Sequence, residues 1–281
     1  MDERIKKYNE YGEFLERRLK LRYNPQAIKM VTDLSEVPEN AIWPKRDLGH
    51  HLALCQALAM SKRDGRTVFM QKDDHWCWNP IIGLGHVKCT PDMESFDIVS
   101  KYIGIADHEA ARKFFEDFPT LPYGKYIGLV CSPLQTAEFV PDLVLVNSNN
   151  AQLRAMIWGI KNQTGKLVDS SFDAIDSCIW SIVTPLLNGK YRITLPDPGD
   201  YERAGADEDE IILSVPEAKL DELIAGLKGV FGMGMGYTEL SRSMELDFSR
   251  PPFYNELFKI WGLDEGKDWK MKMPPMPEEE K

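Results

Sequence analysis

The chain has 281 residues, a formal net charge of −10, 43% hydrophobic and 10% aromatic residues. That size and apolar content predict a folded globular protein, not a disordered one. The acidic balance disfavours nucleic acid and anionic membrane surfaces as partners. No apolar run reaches the roughly 20 residues that span a bilayer, and the charged start MDERIKKYNEYGEFLERRLKLR is unlike a secretory signal. A soluble, cytoplasmic protein is expected.

Tyr8, Tyr11, Phe14, Leu15 and Leu19 recur at helical spacing and predict a helix over 2–21, ended by Asn24-Pro25. A strand follows at 26–31, then a loop over 35–47 with Pro38 and Pro44. Residues 50–62 read as a buried helix, apolar nearly all round, and 67–71 as a strand. Residues 81–88 read as irregular or partly helical, with helices at 93–102 and 108–118. The apolar stretches 126–132 and 143–147 are expected core strands. Helices are expected at 149–162 and at 172–187, the second bent at Pro185. Strands follow at 191–195 and 210–214. Ser214-Val-Pro-Glu217 has the pattern of a capping box, with Leu220, Leu223, Ile224 and Leu227 as the buried face behind it. A short amphipathic piece at 253–261 precedes a charged, mobile tail.

This order favours an α/β or α+β fold with a mixed sheet packed by helices. The expected organisation is a globular domain over 1–235, either one large domain or two intimately packed lobes at 1–120 and 121–235. Residues 236–281 form a C-terminal extension. Its amphipathic piece suggests a homo-oligomer.

The chemistry-bearing residues are sparse. Phosphate-loop, dinucleotide, HExxH and GxSxG signatures are absent, and GLKGVFGMGMG follows a helix instead of opening one. Five cysteines, odd in number and widely spaced, are not a secreted disulfide framework. No C-x-x-C pair occurs, so a metal site would have to be assembled from distant segments. Cys131 sits among apolar strand residues as core filler, and Cys55 and Cys178 lie in helices where thiols commonly fill space. Cys89 is either a spare exposed thiol or a fourth ligand. Cys77 differs: in KDDHWCWNP it stands between Trp76 and Trp78. His75 lies two residues before it, on the same side of an extended segment, as a metal ligand or a solvated histidine. His50 and His51 read as a helix start with one ring packed and one solvated.

Several stretches together resemble a known family. They are YNEYGEFLERRLKLRYNPQAIKM, DLGHHLALCQALAMSKRDGRTV, the acidic turn into Cys77, YIGLVCSPLQTAEFVPDLVLVNSNNAQLRAMIWG, SSFDAIDSC and LPDPGDYERAGADEDEIILSVPEAKLDELIAGL. The chain resembles the uncharacterised ArCR-type family, domain of unknown function 169, over about 8–230. The resemblance implies a shared cysteine set of Cys55, Cys77 and Cys178. Relatives often have a further cysteine where this chain has Asp197. The fourth position therefore falls to Asp197, Cys89, His75, water or a substrate. The family has no established activity to carry over.

The first functional expectation is an iron–sulfur cluster on Cys55, Cys77 and Cys178, with a redox or small-molecule partner and with Trp76, Trp78 and Trp180 as drying walls. Zinc on the same ligands is the nearest variant. Haem, with a cysteine, a histidine, Met233 or Met235 as axial ligand, is a further one. The alternative is a non-catalytic accessory protein that binds a small organic ligand or tetrapyrrole while its thiols stay structural. A thiol enzyme using Cys77 with His75 or Asp74 ranks last.

Overall fold

A computed structural model describes residues 2–88, 104–233, 237 and 252–262. The expected helix at 93–102, Cys89, Met235 and the charged tail lie outside the described residues. Helix α1 covers Glu3–Leu19, capped by Asp2, and strand β1 covers Gln26–Val31. Next come α2 (Leu54–Asp64), β2 (Val68–Gln71), α3 (Trp78–Gly83) and α4 (His108–Asp117). Then follow β3 (Gly128–Pro133), β4 (Leu143–Ser148), α5 (Asn150–Thr164) and α6 (Ser177–Asn188). The chain continues through β5 (Arg192–Thr194), α7 (Pro198–Ala204), β6 (Ile211–Pro216), α8 (Leu220–Gly232) and α9 (Pro252–Ile260).

The named strands form one sheet in the order β2-β3-β1-β4-β6-β5. The α+β class holds, but every ladder between named strands is antiparallel. Among the described residues, parallel pairing is confined to two isolated bridges, Ile42 with Val68 and Leu52 with His75. The sheet takes β1 and β2 from the first 120 residues and places β1 between β3 and β4.

Strand residues alternate between two cores, as the two-residue period of a strand requires. Ala27, Val31, Val130, Val144, Val146, Leu213 and Val215 face α1, α5 and α8. Ile28, Met30, Leu129, Leu143, Leu145 and Ile212 face α2, α3 and α6. With both faces covered, β3, β4 and β6 are buried along their whole length. That is why they read as near-continuous apolar runs instead of an apolar–polar alternation. Helices α5 and α8 cross at Gly159 and Gly226, where a Cβ on Gly226 would lie 1.9 Å from the Gly159 carbonyl oxygen.

Local signals were overridden in four places. The Ser214–Glu217 box does not cap a helix. Ser214 is a β6 residue opposite Leu145, and its hydroxyl donates to the Ser181 carbonyl at 2.7 Å. The Glu217 carboxylate accepts from Arg4 at 2.7 Å and from the Tyr8 hydroxyl, so α8 starts only at Leu220. Strand pairing and a tertiary acceptor outcompete the local cap. Second, α2 begins at Leu54, after an extended Ala53, and His50 and His51 are both exposed. Third, α6 begins at Ser177 because Asp176 takes a left-handed backbone. Fourth, Pro198–Ala204 forms an unexpected helix, opened by a reciprocal pair in which Asp197 and Asp200 each accept the other's amide.

Candidate functional site

Backbone pairing brings the first two cysteines together. Leu52 N donates to the Asp74 carbonyl at 2.9 Å, and Trp76 N donates to the Leu52 carbonyl at 3.2 Å. This short parallel bridge lays residues 75–77 beside the chain entering α2. Cys55 falls in the first turn of α2, and Cys77 is the N-cap residue of α3. The acidic turn is itself tied down, since Asp74 accepts Lys45 N at 3.0 Å and Gln71 N at 3.1 Å. Asp74 is thus a structural carboxylate.

The third cysteine arrives on α6. Helix α3 packs on α6 so closely that a Cβ on Gly83 would lie 2.8 Å from Ile179 Cδ1. Cys178 stands in the first turn of α6. The start of α6 is pinned by Asp197, whose Oδ2 accepts Ser177 N at 2.9 Å. Its other oxygen accepts Asp200 N at 3.0 Å, so this one carboxylate caps two helices. Asp200 in turn accepts the Ser177 hydroxyl. Cys55 Sγ lies 3.7 Å from the Gly199 carbonyl oxygen.

The result is a cavity of about 650 Å³ lined by the starts of four helices. Cys55, Cys77, Cys178, Trp76, Trp78 and Asp197 all line it. All three thiols are free. His75 and Trp180 are not among the lining residues. The His75 ring is buried 6.0 Å from that of His86, and neither of its nitrogens has a partner. Burial and His86 hold its pKa down to about 3. Trp180 lies under the Arg192 guanidinium, 4.8 Å from it. Met233 is exposed, and Cys131 is fully buried in the sheet, donating to the Ala57 carbonyl at 3.5 Å.

Three polar side chains of the lining were not anticipated. Asp176 is 4% exposed, and its Oδ2 has no hydrogen-bond partner. Asn79 is buried with an unpartnered Oδ1. Arg203 stacks its guanidinium 4.8 Å over the Trp76 ring. The sequence carried a faint signal for Asp176, two residues before Cys178, but nothing that separated it from other acids.

The electrostatics follow from burial and sign. Burial, then Asp200 and Asp197, pushes the Cys55 thiol up to about 12. Burial and Asp197 push Cys178 well above the usual thiol range, and burial raises Cys77. Burial and Asp197 lift Asp176 to about 7. Desolvation and mutual repulsion therefore disfavour the charged forms of these groups. Among the described residues, no three His, Cys, Asp or Glu side chains are grouped to hold a metal ion. No described helix is long and apolar enough to cross a membrane.

No curated protein and no solved structure matches the chain. A family profile does match, across residues 14–226, and it spans the sheet and all three cavity cysteines. The chain belongs to the domain of unknown function 169 family, DUF169, described as uncharacterised ArCR.

Proposed function

We propose that this chain is a cysteine-ligated metal protein of the cytoplasm that holds an iron–sulfur cluster on Cys55, Cys77 and Cys178 and serves a redox or small-molecule partner. One observation carries the reading: three free thiols on three separate helices line a single cavity. Soft thiolate donors suit iron–sulfur clusters and zinc. A lone zinc ion needs its sulfurs at about 2.3 Å. Among the described residues no such grouping is preformed, so a cluster, like a zinc ion, would have to draw the three thiols together as it binds. The volume suits a cluster, and the Trp76 and Trp78 rings line its walls. A bound cluster would supply one-electron chemistry and a Lewis-acidic iron. The residues' part is to hold it, exclude water and release thiol protons to solvent as iron binds.

The raised thiols count against Cys77 as a nucleophile, because the thiolate is the reactive form. The alternative is a small organic ligand. A volume of about 650 Å³ and the orphaned Asn79 Oδ1 favour it as the second reading. The exposed Phe253, Tyr254 and Ile260 of α9 support a homo-oligomer, and light scattering that finds only monomer would remove that part.

The test is iron, sulfide and absorption measured on the full chain purified without oxygen. Comparable iron and sulfide are expected. Cys55→Ala, Cys77→Ala and Cys178→Ala should each lose them, and Cys131→Ala should keep them. A colourless, metal-free wild type, or full iron in any of the three variants, overturns the reading.

A further inference from the structure

Four aspartates occupy N-cap positions where their side chains cap a helix or helical turn. Asp2 accepts Arg4 N, Asp33 accepts Ser35 N, Asp107 accepts Ala110 N, and Asp197 accepts Asp200 N. Asp176 holds the same position on α6 and makes no such bond. Asp197 has taken over the first amide of α6 from another part of the chain.

Asp176 is not merely idle. Its backbone is left-handed, φ 61° and ψ 37°, a conformation shared among described non-glycine residues only with Lys20. Such strain persists where the surroundings impose it, and it gathers at functional sites. Its side chain is buried and lines the cavity, and its Oδ2 has no partner. A buried carboxylate oxygen without a donor calls for a missing partner.

The geometry points to Asp176 as the fourth ligand of the cluster, a carboxylate that closes the position left open by Cys55, Cys77 and Cys178. This inference rests on the iron–sulfur reading above. Asp197 is the poorer choice, because both of its oxygens already accept helix amides and turning it would uncap α6 and α7. On loading, Asp176 gives its proton to solvent and Oδ2 binds iron, which satisfies the orphaned oxygen. Carboxylate is a harder donor than thiolate, so this position is the one a substrate or exogenous thiol would exchange into.

The experiment uses the full chain purified without oxygen, with Asp176→Gly, Asp176→Cys and Cys131→Ala. Glycine suits the left-handed backbone, so that variant should fold. Wild type and all variants are read by iron and sulfide content, by the electron paramagnetic resonance spectrum of the reduced cluster, and by its midpoint potential. Asp176→Gly is expected to change the spectrum and raise the potential, because an anionic ligand is gone. Asp176→Cys should retain the cluster and lower the potential, and Cys131→Ala, in the sheet and outside the cavity lining, should leave both readouts at wild type. Loss of iron in the glycine variant with rescue by cysteine also supports the assignment. A wild-type spectrum and potential in Asp176→Gly overturn it, as does loss of the cluster in both Asp176 variants. A wild type without iron and sulfide is a different failure, since it removes the cluster reading as well.

Discussion

Helix α2 carries a buried polar group at each end. Near its C-terminal end the Lys62 ammonium, 4% exposed on its side chain, pairs with the buried Glu210 carboxylate. Asn147 Nδ2 donates to the same oxygen at 2.6 Å, Asp207 N donates to the other at 3.3 Å, and Gln26 Nε2 donates to Asn147 Oδ1 at 2.9 Å. Of that network only Gln26 Oε1 is left without a partner. Two helical turns earlier, Cys55 opens on a cavity where Asp176 and Asn79 keep orphaned oxygens and the acids repel one another. Buried polar groups without partners cost stability, so a fold tolerates them where something outside the chain completes them. The closed end supports the structure; the open end is where the proposed ligand would supply the missing partners.

The largest effect should come from breaking the closed end. Glu210→Ala strands the Lys62 ammonium and should cost about 3–5 kcal/mol in urea unfolding. A loss below about 1 kcal/mol would mean that the network is not a closed structural unit. Next is Asp197→Ala, which uncaps α6 and α7 together. It should cost about 2 kcal/mol in the metal-free protein, as two typical caps do. The contrast sharpens with Asp176→Gly. Removing an orphaned oxygen and a strained backbone should stabilise the metal-free chain by about 1 kcal/mol, read as a higher Tm. A lower Tm would show that Asp176 is structurally satisfied after all.

The most gradual effect is a pH slope at the open end, spread over about two pH units. Burial and Asp197 raise Asp200 to about 6, while the Ser177 hydroxyl, the Asp197 amide and Lys62 pull it back. A carboxyl whose folded pKa exceeds its unfolded value near 3.9 contributes stability below that unfolded value and loses it as pH rises through about 6. The urea midpoint of the metal-free chain should therefore fall between pH 4 and pH 6, and Asp200→Asn should reduce that fall, with Asp176, raised to about 7, supplying the remainder. A midpoint that rises over this range in the wild type, with Asp200→Asn unchanged, would remove Asp200 as the source.

Much of the scaffold was legible from local pattern. Leu15 and Leu19 mark the buried stripe of α1; Leu153, Met156 and Ile160 mark that of α5. The run from Leu143 to Val146 reads as a strand because its residues alternate between the two cores. The misreadings share one cause. Ser214 and Glu217 carry a helix-start pattern, yet β4 and the Arg4–Tyr8 pair claim them across more than 60 and 200 residues of chain. Of the cavity lining, the sequence offered the three cysteines, Trp76, Trp78 and Asp197, but not Asp176, Asn79 or Arg203.

What the sequence determined by itself was the periodicity of each element, the supply of soft donors and the lack of any short metal motif. Those are properties of neighbouring residues, and helical and strand periods act over a few positions. Tertiary structure decided which donors meet. The Leu52–His75 bridge, the α3–α6 contact at Gly83 and the double cap by Asp197 bring together residues 55, 77 and 178. It also decided which acid is left unpaired. Asp176 and Asp197 look alike in the sequence. One is consumed by helix amides and the other is free, because a single carboxylate from a distant loop reached the α6 amide first.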